Sequence, residues 1–580
     1  MTRDIALLGA IGCSLTLLWS PLAFGASSPS AEETFKISYH LTLHEPQKNQ
    51  ILIQGEIVSP GPSKIILEKR SATLEIQALQ VYDEAHHDVR PIVEKHRIIL
   101  PKPKKGPLFF RYRVPTGPLG RHGHQGYLGE RFGLFNGSQL FLVPSLKKGC
   151  PEVTVTFTLP TGWEVVSSWK RQGESFSPAV SEALWPNSLT QSILAFGTFE
   201  TRQGKIGETL LSTSLSTTWS PSERERIFTN VSKLYHYLSE LFGGSAGNSY
   251  HIVLTPLAED GVGINANHWA FGVGSSLQPD VQRDWELLAH RIFHKFNSDP
   301  PLGMKPKERR DGWFLEGAPS FYEQVALFES GATFDPSWKW ENPAGYYSIS
   351  QCAGRYLWNY FIEPQKSRIP LSEDYRIENE KVLDFFHYTR AKLVAALLDR
   401  EIRRVTDGKK SLKDLLAYQY LHDREQRGSF DLLQDLKEVT GHDLRSFFEA
   451  YLFSTRLLPV WQLGDEYPWG DAETPFAADV TTSFWVEEEA GMMDRLIEKE
   501  GISFPVTKEE EEGLRRLKGA PERALKAIKR VLLQLKVTGV KVNDPQKEEK
   551  LLSAKNLVRM NDYLEKEKAR MSQNSGTGLR

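Results

Sequence analysis

Apolar and polar residues alternate through much of the first third of the chain. FKISYHLTL, ILIQGEIV, SKIILE, LFFRYRV, LFLVP and VTVTFTLP place side chains of one kind on every second position, the period of a half-buried strand. Turns rich in Pro, Gly and Asn separate them. Residues 31–201 therefore read as an all-β domain, a sandwich or saddle. From Ser220 the period lengthens to that of a helix: SERERIFTNVSKLYHYLSELFGG has Ser220 as its N-cap and Gly243 past its end. SYHIVLTPL then reads as a strand. The glycine-spaced GVGINANHWAFGVG reads as a sheet-edge loop lining a cleft, and it does not open a helix as a nucleotide-binding glycine motif would.

Helical patterns dominate from Asp284 onward. DWELLAHRIFHKF and GWFLEGAPSFYE flank a Pro-rich loop, and FHYTRAKLVAALLDREIRRVTDG ends at the stop signal Asp407-Gly408. SLKDLLAYQYL, FDLLQDLKEVTG and HDLRSFFEAYLF complete a helical lobe. Sheet first and helices after is an α+β pattern. The expected organisation is α+β and multidomain: the β domain, a second α+β domain with its helical lobe over 202–459, and a largely helical extension over 460–580. In that extension residues 460–500 lack a clear period, whereas ALKAIKRVLLQLK and NLVRMNDYLEKEKARM are charged amphipathic helices. The acidic run 509–512 reads as a solvated helix start.

Candidate chemistry gathers in residues 284–323. At about 100° per residue, Trp285, Leu288, Ala289, Ile292 and Phe296 share an apolar face, and His290 and His294 point to roughly the opposite side. Four residues apart, the two histidines sit one above the other on adjacent turns, where both imidazoles reach one ion. Glu316, in WFLEG, is available as a third ligand, and two histidines with a distant glutamate form a donor set of open, catalytic-type zinc sites. The residue after the first histidine, where H-E-x-x-H carries its glutamate, is Arg291. His122 and His124, in GRHGHQGY, read as residues of a glycine-rich loop.

Length and charge narrow the classes. A chain of 580 residues exceeds what one core supports and implies two to four domains. A formal net charge of −2 argues against nucleic acid as a partner. Residues 1–25 read as a cleaved signal peptide: Arg3 precedes an apolar run interrupted by Gly9, Gly12, Ser14 and Pro21, and Ala23-Phe24-Gly25 offers small residues for cleavage. No later segment reaches the eighteen or more apolar residues of a membrane span. An exported protein, periplasmic or secreted, is expected. Cys150 and Cys352 would be the mature cysteines; they fall in different expected domains and read as unpaired.

The segments HRIFH, GWFLEGAPSFYE, FHYTRAKLVAALLDREIRRVTDGKKSLKDLL and VTGHDLRSFFEAYLFSTRLLP closely resemble the glycyl aminopeptidase family of zinc metallopeptidases, within the thermolysin-like gluzincin group. The resemblance covers roughly residues 35–460 and leaves the extension unaccounted for. It implies zinc held by His290, His294 and Glu316, and a transition-state oxyanion stabilised by Tyr388, with His387 replacing the first of a usual tyrosine pair. It also implies substrate contacts at Asn265 and His268, in GVGINANH, although that stretch lacks the family's glutamate for a substrate amino terminus.

Arg291 stands where the resemblance places the general base. Its guanidinium stays protonated, with a pKa above about 12, so it cannot take a proton from water. A positioned base contributes about 10²–10⁴-fold in rate. The reading with most support is an exported metallopeptidase-like pseudoenzyme that keeps its cleft for a peptide or protein ligand. Arg291 would then pair with a ligand carboxylate, or pack against Glu286 or another local acid. A divergent active peptidase with its base elsewhere, Glu323 for example, is the second reading. A structural or assembly subunit that meets a protein partner through its C-terminal helices is the third.

Overall fold

The computed structural model describes residues 35–43, 50–59, 64–71, 74–101, 106–116, 126–146, 149–178, 185–244, 249–258, 264–268, 272–297, 311–332, 349, 352, 356, 369–376, 386–426, 430–456 and 458–463. The expected signal peptide over 1–25, His122 and His124, and the helices expected in the extension all fall outside the described residues.

The first unit is all β. A seven-stranded sheet has Lys36–Thr42 at its centre, paired parallel with Glu152–Thr158 and antiparallel with Gln50–Val58. Two four-stranded sheets accompany it. Alternation does the work expected of it: Ile37, Tyr39 and Leu41 all point into one apolar core with Ile51, Ile53, Phe110 and Tyr112. The Tyr39 hydroxyl donates to the carbonyl of Leu142 and that of Tyr112 to the carbonyl of Leu140. Both phenols thereby satisfy their polar ends inside the core.

A second, five-stranded sheet begins directly after Gly197. Its strands are β1 (Phe199–Ile206), β2 (Thr209–Ser216), β3 (Ser249–Thr255), β4 (Asn265–His268) and β5 (Gly272–Ser276), in the spatial order β1-β2-β3-β5-β4. β2, β3 and β5 run parallel, and β4 turns back antiparallel on the edge. The GVGINANHWAFGVG stretch thus supplies the edge strand β4 and the start of its inner neighbour β5, not only a loop. Its Gly, Ala and Asn residues have low strand propensity, and pairing of β5 with β3 and of β4 with β5 supplies the order that local sequence does not. Gly272 is required there: a Cβ would sit 2.2 Å from the carbonyl oxygen of His251.

Helix α1 (Pro221–Leu241) carries the chain from β2 to β3. Ser220 caps it in a reciprocal box with Glu223, and Gly243 leaves it at φ +77°. Then come α2 (Gln282–Asn297), α3 (Trp313–Glu329), α4 (Ala391–Val405), α5 (Leu412–Gln426), α6 (Leu432–Thr440) and α7 (Arg445–Tyr451). Helices α2, α3 and α4 pack side by side in one core with the inner face of the sheet. Gly317 lets α3 approach the first residue of α4: a Cβ there would stand 2.9 Å from the carbonyl oxygen of Ala391. The architecture is α+β and multidomain, β-rich first and helical after. Among the described residues no helix is long and apolar enough to cross a membrane. Cys150 and Cys352 are both free, the latter buried.

The two units share an apolar seam in which Phe132, Leu134, Ile193 and Ala195 meet Val253, Ala258 and Ile264. Beside it, His251 on β3 is buried, 3.0 Å from the Ser214 hydroxyl and bonded to the backbone of Ser167 in the β unit. Burial disfavours its charged form and pushes its pKa down to about 4, against the weaker opposing pull of the Ser167 bond. The unfolded chain, with an ordinary value near about 6.5, takes up this proton while the folded chain does not, so stability falls as pH falls from 6.5 toward 4. Denaturation of the wild type and of His251→Gln at pH 7 and pH 5 checks this. The wild type should lose about 2 kcal/mol more than the variant over that interval; equal losses would contradict it.

Candidate metal centre

Helix α2 presents the histidines from a buried position. Trp285, Leu288, Ala289, Ile292, Phe293 and Phe296 all lie in the core, with Phe296 stacked on Phe242 at 4.9 Å between ring centroids. The opposite face is covered too: Glu286, His290, Arg291, His294, Lys295 and Asn297 are buried as well. The helix is covered all round: α1 and the sheet lie along its apolar face, Arg291 and Lys295 also reach the sheet, and α3 covers the histidines. Polar groups kept from water in this way need partners, and most of the site's geometry comes from how they find them.

Three of them converge. Nε2 of His290 and Nε2 of His294 are 3.1 Å apart, and Glu316 Oε2, from the first turn of α3, lies 3.3 Å from the first and 3.4 Å from the second. Helix spacing stacks the histidines, and the packing of α3 against α2 brings Glu316 across; the Gly317 contact seats the same turn of α3 against α4. Each residue offers one ligand atom, and the three form a group that could hold a single ion. Glu316 Oε2 is buried and has no hydrogen bond of its own. The edge of a tetrahedron of ligands around zinc, at bonds of about 2.0–2.1 Å, is roughly 3.3 Å. The residues present fit such an ion.

The surrounding charges agree with that fit. Burial pushes the Glu316 carboxyl up, but the two imidazoles more than reverse this and hold it well below the usual carboxylate range. Burial pulls the His290 imidazole down, and Glu316 and Glu323 together outweigh it, so its pKa stands above the ordinary value. The same two carboxylates that favour the charged imidazole would favour a cation between these side chains. His294 is steadied through Nδ1 by Asn297 Oδ1 at 3.0 Å, and Asn297 in turn donates to the carbonyl of Leu315 at 2.9 Å, one residue before Glu316.

Glu323 lies behind His290: its Oε2 is 3.2 Å from Nδ1, and its Oε1 accepts from Lys392 Nζ at 3.0 Å. The imidazole ring stands between this carboxylate and the space among the three ligand atoms, so Glu323 is badly placed to take a proton from a molecule there. Arg291 donates from Nη1 to the hydroxyl of Ser275 on β5. Tyr388, in the π-helical turn Phe386–Arg390 before α4, is part-exposed with its ring 5.7 Å from that of His290. Asn265 and His268 begin and end the edge strand β4, opposite Ser275 and Gly272 in register; their side chains, like that of His387, lie outside what is described. Sequence reasoning passed over Lys392, Asn297 and Gln324, the last donating to Glu286 at 3.2 Å. Their only signal was a polar residue at a position whose helix neighbours are buried.

Among solved structures, the chain is similar to an aminopeptidase N family protein from Idiomarina loihiensis, at 16% identity over 74% of this chain and 77% of that one, with a TM-score of 0.58. It is also matched, more distantly, with an M1 zinc metallopeptidase from Deinococcus radiodurans, at 14% identity over 74% of this chain and 96% of that one, with a TM-score of 0.43. The first likeness shows the fold. No protein-family model matches the sequence, and comparison with curated proteins finds no match.

Because His290 must give up its proton to bind an ion, and its pKa is raised, protons should compete with metal to a higher pH than at an ordinary histidine. Zinc affinity of the apo-protein, measured by chelator competition from pH 6 to 8, should still climb above pH about 6.5. A plateau already reached at pH 6 would contradict the assignment.

Proposed function

We infer that this chain is a zinc-binding protein of the metallopeptidase type that has lost ordinary hydrolysis and uses its site to hold a peptide. One observation carries the reading: His290, His294 and Glu316 form a ligand-sized triangle beside a residue that cannot act as a base. The likeness of fold to an aminopeptidase N family protein is consistent with that site and with the resemblance to glycyl aminopeptidases.

Zinc bound there would supply Lewis acidity, polarising a carbonyl and acidifying water. The rest of the machinery belongs to the chain. His290 and His294 give their Nε2 lone pairs, and Glu316 gives the anionic donor. Tyr388, beside the His290 ring, is positioned to donate to an oxygen of a bound carbonyl. Strand β4, last in its sheet among the described residues, offers an edge with which an extended peptide can pair. Proton transfer is the missing function, since Arg291 holds no lone pair to receive one. A cation next to the ion also weakens metal binding relative to a carboxylate in its place, and favours ligands that bring negative charge.

The location of Glu323 counts against a divergent active enzyme that uses it as base. The test is elemental analysis of protein purified without added metal, together with hydrolysis of aminoacyl-nitroanilides by the wild type and Arg291→Glu. About one zinc per chain, no wild-type turnover and measurable turnover in the variant are expected, a gain of roughly 10²–10⁴-fold from a restored base. Appreciable wild-type turnover would end the pseudoenzyme reading.

A further inference from the structure

Beneath the three ligands lies a buried layer of charge that the chemistry above does not use. Lys392, on the second residue of α4, has a side chain only 1% exposed and donates from Nζ to Glu323 Oε1 at 3.0 Å. The other oxygen of that carboxylate faces Nδ1 of His290 at 3.2 Å, and Nε2 of the same ring points to the metal position. Glu286, one turn before His290 on α2, also acts on the Lys392 ammonium and takes a hydrogen bond from Gln324.

We propose that Lys392 is a positioning residue for the metal, acting on His290 through Glu323. The inference rests on the reading of His290, His294 and Glu316 as a metal centre. An ammonium buried this deeply is tolerated only with carboxylates beside it, and this one meets its carboxylate at the oxygen that the imidazole does not use. The consequence is geometric. One oxygen of Glu323 is fixed to α4, so the other is held toward α2, where it accepts the Nδ1 proton of His290. That leaves the Nε2 lone pair free and the ring oriented toward the ion. Helix α3 therefore supplies both the ligand Glu316 and, two turns on, the carboxylate that orients another ligand. Helix α4 supplies the cation that holds this carboxylate in place. A carboxylate behind a ligating histidine fixes its tautomer and raises its basicity, and losing such an outer partner typically costs about 10–100-fold in metal affinity.

The experiment uses the full chain stripped of metal. Zinc affinity is measured at one pH by chelator competition for the wild type, Lys392→Met, Glu323→Gln and the double variant, and visible spectra of the cobalt-loaded proteins report ligand geometry. Each single variant should bind zinc about 10–100-fold more weakly, with an altered cobalt spectrum. The double variant should be no weaker than Glu323→Gln, because the two residues act in series through one carboxylate. If Lys392→Met does not fold, the double variant leaves no carboxylate at position 323 unpaired, and equality with Glu323→Gln carries the test. Wild-type affinity and spectrum in Lys392→Met, or losses that multiply in the double variant, would overturn the inference alone. A wild type that binds no zinc would overturn the metal-centre reading and this inference with it.

Discussion

Two imidazole nitrogens and a carboxylate oxygen held 3.1–3.4 Å from one another inside a protein need a positive charge among them. The protein reaches this arrangement by pressing helices α2 and α3 together against α4, and much of the described helical lobe serves that contact. Gly317 permits it, the core around Trp285 and Phe296 anchors it from one side, and the bridge from His294 through Asn297 to the backbone of Leu315 ties the ligand-bearing turns directly. The same negative surroundings hold the His290 pKa above its ordinary value.

Around this centre the charges are graded by position. Carboxylates behind the ligands are paired with Lys392 or hydrogen-bonded by Gln324, which keeps negative charge close without leaving it bare in the interior. On the sheet side stands Arg291, anchored to Ser275. A carboxylate at that position would accept protons in turn; a guanidinium can only donate hydrogen bonds and attract anions. Holding an ion and moving a proton are separate demands on a hydrolytic site, and in the proposed reading the residue at position 291 bears chiefly on the second.

Much of this was legible in the chain because it depends on local pattern. Ser220 and Gly243 mark the ends of α1, Asp407 and Gly408 adopt the left-handed conformations that stop α4 (φ +51° and +75°), and the spacing of His290 and His294 requires nothing beyond the pitch of a helix. Glu316 was found because a carboxylate sits in an otherwise apolar helix start. What could not be read depends on contacts between distant segments. Lys392 looks like one polar residue in an amphipathic helix until α4 is laid against Glu323, sixty-nine positions earlier. The polar face of α2 looks solvated until α3 and the sheet cover it. Strands β4 and β5 carry so little propensity of their own that pairing makes them strands, β5 on β3 and β4 on β5.

The central claim is that His290, His294 and Glu316 hold one ion. Diffraction from crystals of the full chain, collected on both sides of the zinc absorption edge, tests it most directly. The account predicts one anomalous peak within about 2.0–2.2 Å of both Nε2 atoms and of a Glu316 oxygen. Crystals grown with zinc that show no peak between these side chains, or a peak at other residues only, would contradict it.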